Sequence, residues 1–245
     1  QRAEPGSRLT AWRPVLGYWF VSALAAGLGA VHTLKWVMGR PRPYSVLGRE
    51  HLPYSEWYQV GSHYVTEGIY RGSFPSGHTA AVFILMTLVY AYGANPAAPA
   101  PRRSLMWPLG AAVLAYTASM GIASAMARSH WLSDAIAATG MVWVLIHALY
   151  FLVLRVPEQQ GHLARHRHLL SMPSYWELRF CGWGFIALLG MLAVGLGVRA
   201  FWEQSPPYLA VLIPLGVLLW WLGFPRARRV IRLLHERLDG AGVYP

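Results

Sequence analysis

Lys35, Arg42, His78, His130 and Asp134 are the residues of this 245-residue chain whose types and spacing suit chemistry on a phosphate group. Arg42 offers a two-pronged donor to phosphate oxygens and Lys35 a point charge. His78 and His130 are of the one residue type that commonly gives or takes a proton at neutral pH. His130 and Asp134 lie four apart and therefore share a helix face. The expected bond runs from a ring N–H of His130 to the Asp134 carboxylate. It would fix the tautomer and sharpen the other nitrogen as a nucleophile. The plainer alternative is a buried His–Asp pair that ties helices together. Snorkelling accounts equally for Lys35, and an interfacial flank for Arg40 and Arg42.

His78 belongs to the stretch Ser73-Phe74-Pro75-Ser76-Gly77-His78-Thr79. Pro75 suits the start of a helix, Ser76 is a good N-cap, and Gly77 lets a ligand approach the backbone. First-turn N–H groups and the helix dipole both favour an anion there. Alone, the tetrapeptide Pro75 to His78 reads as a plain helix start.

The elements that must position these groups follow from composition. Hydrophobic residues make up 55% of the chain and charged ones 13%, about half the charged share of a soluble domain. Several apolar runs reach the roughly 20 residues that cross a bilayer. The reading is an all-α, polytopic membrane bundle forming one domain over 1–245, with six helices near 14–36, 76–93, 105–127, 131–154, 180–201 and 208–224. The formal charge of +11 lies between the apolar runs, which points to membrane topology rather than nucleic acid. Of the 21 Lys and Arg, 14 fall on the side of the N-terminus, Arg102-Arg103, the segment Arg155 to Arg179 and the tail. That side is expected to be cytoplasmic. Lys35 to Pro43, Pro75 to His78 and Arg128 to Asp134 then share the opposite, outer face. Asp134 is the sole acidic residue inside an apolar run, a costly placement that is usually functional.

Other segments carry weaker signals. The loop from Pro43 to Pro75 holds Tyr44, Tyr54, Trp57, Tyr58, Tyr64 and Tyr70, read either as an interfacial belt or as a flap over a substrate. The tail Arg226 to Asp239 reads as an amphipathic helix lying on an anionic leaflet. His162, His166 and His168 are spaced like metal ligands but lack a carboxylate or Cys partner, so a solvated loop is expected. His32 and His147 read as packed or interfacial residues. The single Cys181 excludes an internal disulfide and a Cys-based metal cage. No Met and no signal peptide begin the chain, so either its N-terminus was removed or it is a fragment.

Lys35-x6-Arg42-Pro43, Pro75-Ser76-Gly77-His78 and His130-x3-Asp134, in that order, resemble the three signature motifs of the type 2 phosphatidic acid phosphatase family. The motifs span about 100 residues, and a core like that of the wider phosphatase and haloperoxidase superfamily is expected over 14–154. Two further helices (180–224) and the basic tail (225–245) would follow it. The resemblance implies metal-independent, cofactor-free hydrolysis of a lipid phosphate or lipid pyrophosphate. His130 would attack phosphorus and form a phosphohistidine, Asp134 would orient it, and His78 would protonate the leaving alcohol. Lys35, Arg42, Ser76 and Gly77 would hold the phosphate. Such a chain would sit in a bacterial inner membrane with its site on the periplasmic face. Its partners would be membrane lipids, not nucleic acid.

Two departures stand out. The third motif of the family has Ser-Arg followed by five residues and the histidine, where this chain has Ala123-Ser124 in place of the pair. Arg128, the sole Lys or Arg near the motif, is the expected substitute. Family members usually also have two helices before the one that ends in the first motif, where this chain has none, so either such helices precede this chain or its fifth and sixth take their packing role. A lipid phosphotransferase using the same histidine, or a lipid-phosphate binder or transporter with weakened catalysis, remain as alternatives.

Overall fold

Apolar residues run all the way round most of the helices, so lipid rather than water must cover them. In the computed structural model, residues 8–48, 50–61, 72–93, 103–166, 168, 170–202 and 207–240 are described, and among them there is no strand. The elements are α1 (Arg8–Ser22), a π-helical stretch (Ala23–Ala30), α2 (Val31–Met38), α3 (Pro43–Leu47), α4 (Gly77–Phe83), α5 (Met86–Gly93) and α6 (Met106–Met126). There follow α7 (Leu132–Ala148), a second π-helical stretch (Leu149–Val153), α8 (Val156–His166), α9 (Trp176–Trp202), a 3-10 turn (Pro207–Val211) and α10 (Leu212–Gly240).

Five helical segments among the described residues are long and apolar enough to cross a membrane. The second of the six crossings expected from the sequence is the shorter helix Gly77–Gly93, interrupted at Ile84 and Leu85. Only 22% of the apolar window of α6 is buried by protein, and Trp107 and Met126 are 75% and 79% exposed, so a bilayer is the cover this surface requires.

Helix ends depart from the sequence reading in three places. Residues 155–179, read as loop, contain α8. The fifth crossing begins at Trp176, one turn before Phe180. The tail is continuous with the sixth helix through Pro225. Part of its apolar stripe packs on the bundle and not on a leaflet: Leu234 and Leu238 are buried, Arg155 donates to Asp239 at 2.8 Å, and His235 Nε2 donates to the Val153 carbonyl at 2.9 Å.

The core lies among α1, α4, α7 and the second π-helical stretch. There Tyr18 donates to the Ile146 carbonyl at 3.2 Å and meets Tyr150 edge-on at 5.0 Å. Beside it, α9 and α10 form a hairpin whose backbones touch. A Cβ at Gly190 would lie 2.5 Å from the Trp220 nitrogen, and one at Gly216 2.5 Å from the Gly190 carbonyl oxygen. Small residues at the crossing of two membrane helices permit this approach. At one end of the bundle α2 and α9 finish and α4 and α7 begin.

Candidate active site

The strap Gly72 to Ser76 connects the three motifs. Ser73 N–H donates to the Arg40 carbonyl at 2.8 Å, and its hydroxyl to the Pro41 carbonyl at 3.2 Å. Ser76 N–H donates to the Asp134 carbonyl at 3.1 Å. Lys35 Nζ, buried at the end of α2, donates to the carbonyls of Gly72 at 3.0 Å and Ser73 at 3.4 Å. The strap is therefore laced to the first motif on one side and the third on the other.

His130 is buried in the turn between α6 and α7, with its Nδ1 2.8 Å from the Ser73 carbonyl oxygen. A carbonyl can only accept, so Nδ1 carries the hydrogen and Nε2 is left with its lone pair. This corrects the expected orienting bond to Asp134. The nearer carboxylate oxygen lies 3.7 Å from Nδ1, beyond hydrogen-bond length. Asp134 acts on His130 as a nearby charge. Burial pushes the His130 ring below its usual titration range, and the Asp134 carboxylate opposes that shift without cancelling it. The ring of His78 is exposed and faces that of His130 at 5.9 Å between centroids, nearly perpendicular.

Asp134 is fully buried, and its partner is Arg40. Arg40 Nη1 donates to Asp134 Oδ1 at 2.6 Å and to Ser133 Oγ at 2.8 Å. Arg40 Nε donates to the Ser55 carbonyl at 2.8 Å and Nη2 to the Tyr54 hydroxyl at 3.1 Å. Tyr54 and Trp131 also stand 5.6 and 5.5 Å from the guanidinium carbon. The other Asp134 oxygen accepts the Trp131 N–H at 2.8 Å and caps α7. Arg40 was read as an interfacial flank. The signal that marks it is electrostatic: a carboxylate inside an apolar run needs a cation, and a neutral histidine is not one.

The remaining expected site residues divide. Gly77 opens α4, with Lys35 Cε 3.9 Å from where its Cβ would be. Ser76 is the N-cap as expected, but its hydroxyl turns inward and accepts from Thr79 N–H at 3.3 Å and Thr79 Oγ1 at 2.9 Å. Pro75 falls before the cap, outside the first turn. The N–H groups of Gly77 and His78 have no acceptor among the described residues. Arg42 is half-buried at the start of α3, its guanidinium 6.0 Å from the Tyr44 ring. Arg42 and Lys35 are the cations whose charge reaches His130. Arg128 is exposed, with a left-handed backbone (φ 54°), and its carbonyl accepts the Tyr44 N–H at 3.1 Å.

The aromatic loop reaches this site. Tyr54 packs edge-on against Trp131 at 5.0 Å, and Trp57 meets Phe74 of the strap at 6.3 Å. Tyr64 and Tyr70 lie outside the described residues. Elsewhere, His162 is buried, not solvated, while His166 and His168 are exposed, and no grouping among the described residues suits a metal ion. His32 is exposed, and His147 Nδ1 lies 3.0 Å from the Tyr90 hydroxyl.

The sequence model of the PAP2 superfamily matches residues 16–157, more than half of the chain. The chain belongs to the PAP2 superfamily. No curated protein and no solved structure gives a significant match. Membership brings phosphatase-type chemistry to the constellation just described, and the matched span contains all three motifs and ends at the beginning of α8.

Proposed function

We propose that this PAP2-superfamily protein is an integral membrane phosphatase that removes phosphate from a lipid phosphate or lipid pyrophosphate through a phosphohistidine on His130. The observation that carries this reading is the bond from His130 Nδ1 to the Ser73 carbonyl, which leaves Nε2 as a neutral nucleophile beside His78. Lys35, Arg42 and the N–H groups of Gly77 and His78 would hold the non-bridging oxygens, with Arg128 reaching in from the turn. A transferring phosphoryl group needs fixed positive charge and in-line placement above all.

In the first step Nε2 attacks phosphorus, the bond from phosphorus to the lipid oxygen breaks, and protonated His78 gives its proton to that oxygen. In the second, His78 takes a proton from water as the water attacks phosphorus, the bond from Nε2 to phosphorus breaks, and phosphate leaves. A site at the membrane surface suits an amphiphile whose tails stay in the bilayer. The positive-inside bias supports a site on the outer face of a plasma membrane with the tail cytoplasmic, and the Arg- and Ala-rich composition supports a bacterial one. Transfer to a second lipid headgroup would use the same phosphohistidine, with an alcohol in place of water.

The test is phosphate release by purified protein in mixed micelles over a panel of lipid phosphates, with EDTA present, beside His130→Ala. Release that survives EDTA and vanishes in the variant is expected. Phosphate-lipid binding without release from any lipid would move the protein to the binder class.

A further inference from the structure

Arg199 stands in the last turn of α9, forty-two residues beyond the end of the matched family span, and it is buried. A cation at the end of a membrane helix ordinarily snorkels outward to water. This one turns inward. Its Nη2 donates to the Gly61 carbonyl at 2.7 Å, and its Nη1 lies 3.3 and 3.4 Å from the carbonyls of Val37 and Trp36. The last two belong to the final turn of α2, where carbonyls lack helical partners and the helix dipole is negative. α9 also packs tightly there, since a Cβ at Gly195 would fall 2.8 Å from Val37 Cγ2.

Gly61 passes this grip to the site. Its N–H donates to the Met38 carbonyl at 2.7 Å, so it is held from both sides. Its backbone lies against Gly39 and Arg40, and an added Cβ would sit 2.7 Å from the Arg40 Cα. Gly39 is the left-handed cap of α2 (φ 53°), after which Arg40 turns toward Asp134 and its carbonyl accepts the Ser73 N–H. Ser73 in turn holds the His130 ring. A continuous path of hydrogen bonds and backbone contact thus leads from Arg199 through Gly61 and Arg40 to the strap.

We propose that Arg199 is a positioning residue for this reaction: by clasping the end of α2 and the Gly61 backbone, the α9–α10 hairpin sets where Lys35, Arg40 and the Ser73 strap stand. The proposal rests on the phosphatase reading for its effect on turnover, while the clasp itself can be measured without turnover.

The experiment compares full-length wild type, Arg199→Met and Arg199→Lys in the same micelles. Amide hydrogen exchange is read at Gly39 and Gly61, beside steady-state kinetics on a lipid phosphate. In Arg199→Met, exchange at both amides is expected to rise, while amides of α6 keep their protection. Its kcat is expected to fall by about tenfold or more with KM within about threefold, since misplacement near the chemistry costs rate rather than binding. Arg199→Lys, which keeps the charge and can still reach one carbonyl, should lie between, and it serves if the Met variant does not fold. Unchanged exchange at Gly39 and Gly61 in the folded variants would overturn the clasp. Raised exchange with unchanged kcat would overturn the positioning role, as would a loss of kcat matched by general loss of protection. A wild type that releases no phosphate would refute the phosphatase reading, and the exchange arm would still decide the clasp.

Discussion

Two histidine groups stand at opposite ends of the bundle. At one end His78 and His130 are 5.9 Å apart, and at the other His162, His166 and His168 have ring separations of 4.6, 5.3 and 5.8 Å. By closeness alone the triple cluster is the better candidate. Yet both ring nitrogens of buried His162 lack a hydrogen-bond partner among the described residues, whereas His130 has one nitrogen fixed by a carbonyl and a buried carboxylate and two cations acting on it. Chemistry depends on a ring with a defined tautomer and field, not on rings in proximity.

The sharpest way to break this contrast is at the nucleophile. His130→Ala is expected to lower phosphate release by about a thousandfold or more, because in the proposed mechanism His130 forms the covalent bond to phosphorus. His78→Gln should cost about a hundredfold or more and flatten the pH profile, since general acid catalysis is worth 10²–10⁴. Retained activity in either would place the chemistry elsewhere.

Arg40→Met or Asp134→Asn comes next, and it acts on stability as well as rate. Each leaves one buried charge or donor set unanswered, with an expected loss of about 3–5 kcal/mol, measured by thermal or denaturant unfolding in micelles. Replacing both together should cost less than the sum of the two. Additive losses would mean that the pair is not coupled as the 2.6 Å contact indicates.

The pH dependence follows from burial. His130 must be neutral to attack, and its folded pKa is lowered, so it stays neutral to below the usual value near 6.5. The acid limb of kcat/KM is therefore expected below pH 6.5, and a limb above it would contradict the buried, neutral ring. Smaller still is Arg128→Ala, where an exposed cation should change KM by only a few-fold, more at low salt than at high. An unchanged KM would remove Arg128 from the site and leave the arginine missing at Ser124 unreplaced. At the far end His162→Leu should leave turnover alone and keep or raise stability, because it removes two buried polar atoms that have no hydrogen-bond partner among the described residues. A fall in turnover would show that the two histidine groups are linked.

What the sequence made legible was the order of the motifs and the end of the bundle they share. Lys35, His78, His130 and Asp134 meet there because apolar runs of membrane length leave few ways to place their ends. The partners of those residues were less legible. The bond that fixes His130 comes from the backbone of Ser73, and a carbonyl leaves no mark in residue identity. Arg40 and Arg42 alternate with prolines, and spacing could not say which would be buried. The inward turn of the Ser76 hydroxyl follows from Thr79 three residues on, a local capping contact that competes with any ligand. The tail looked amphipathic for a membrane surface, and periodicity cannot distinguish lipid from protein as the cover for Leu234 and Leu238. Arg199 went unmarked because an arginine at a helix end ordinarily snorkels.

The most direct test of the central claim is to trap the phosphorylated enzyme by rapid quench with a radiolabelled lipid phosphate and to identify the phosphorylated atom. Phosphate on Nε2 of His130, absent from His130→Ala, is the result expected from a ring whose Nδ1 is held by Ser73. Phosphate on Nδ1, or on another residue with His130 unlabelled, would contradict the account.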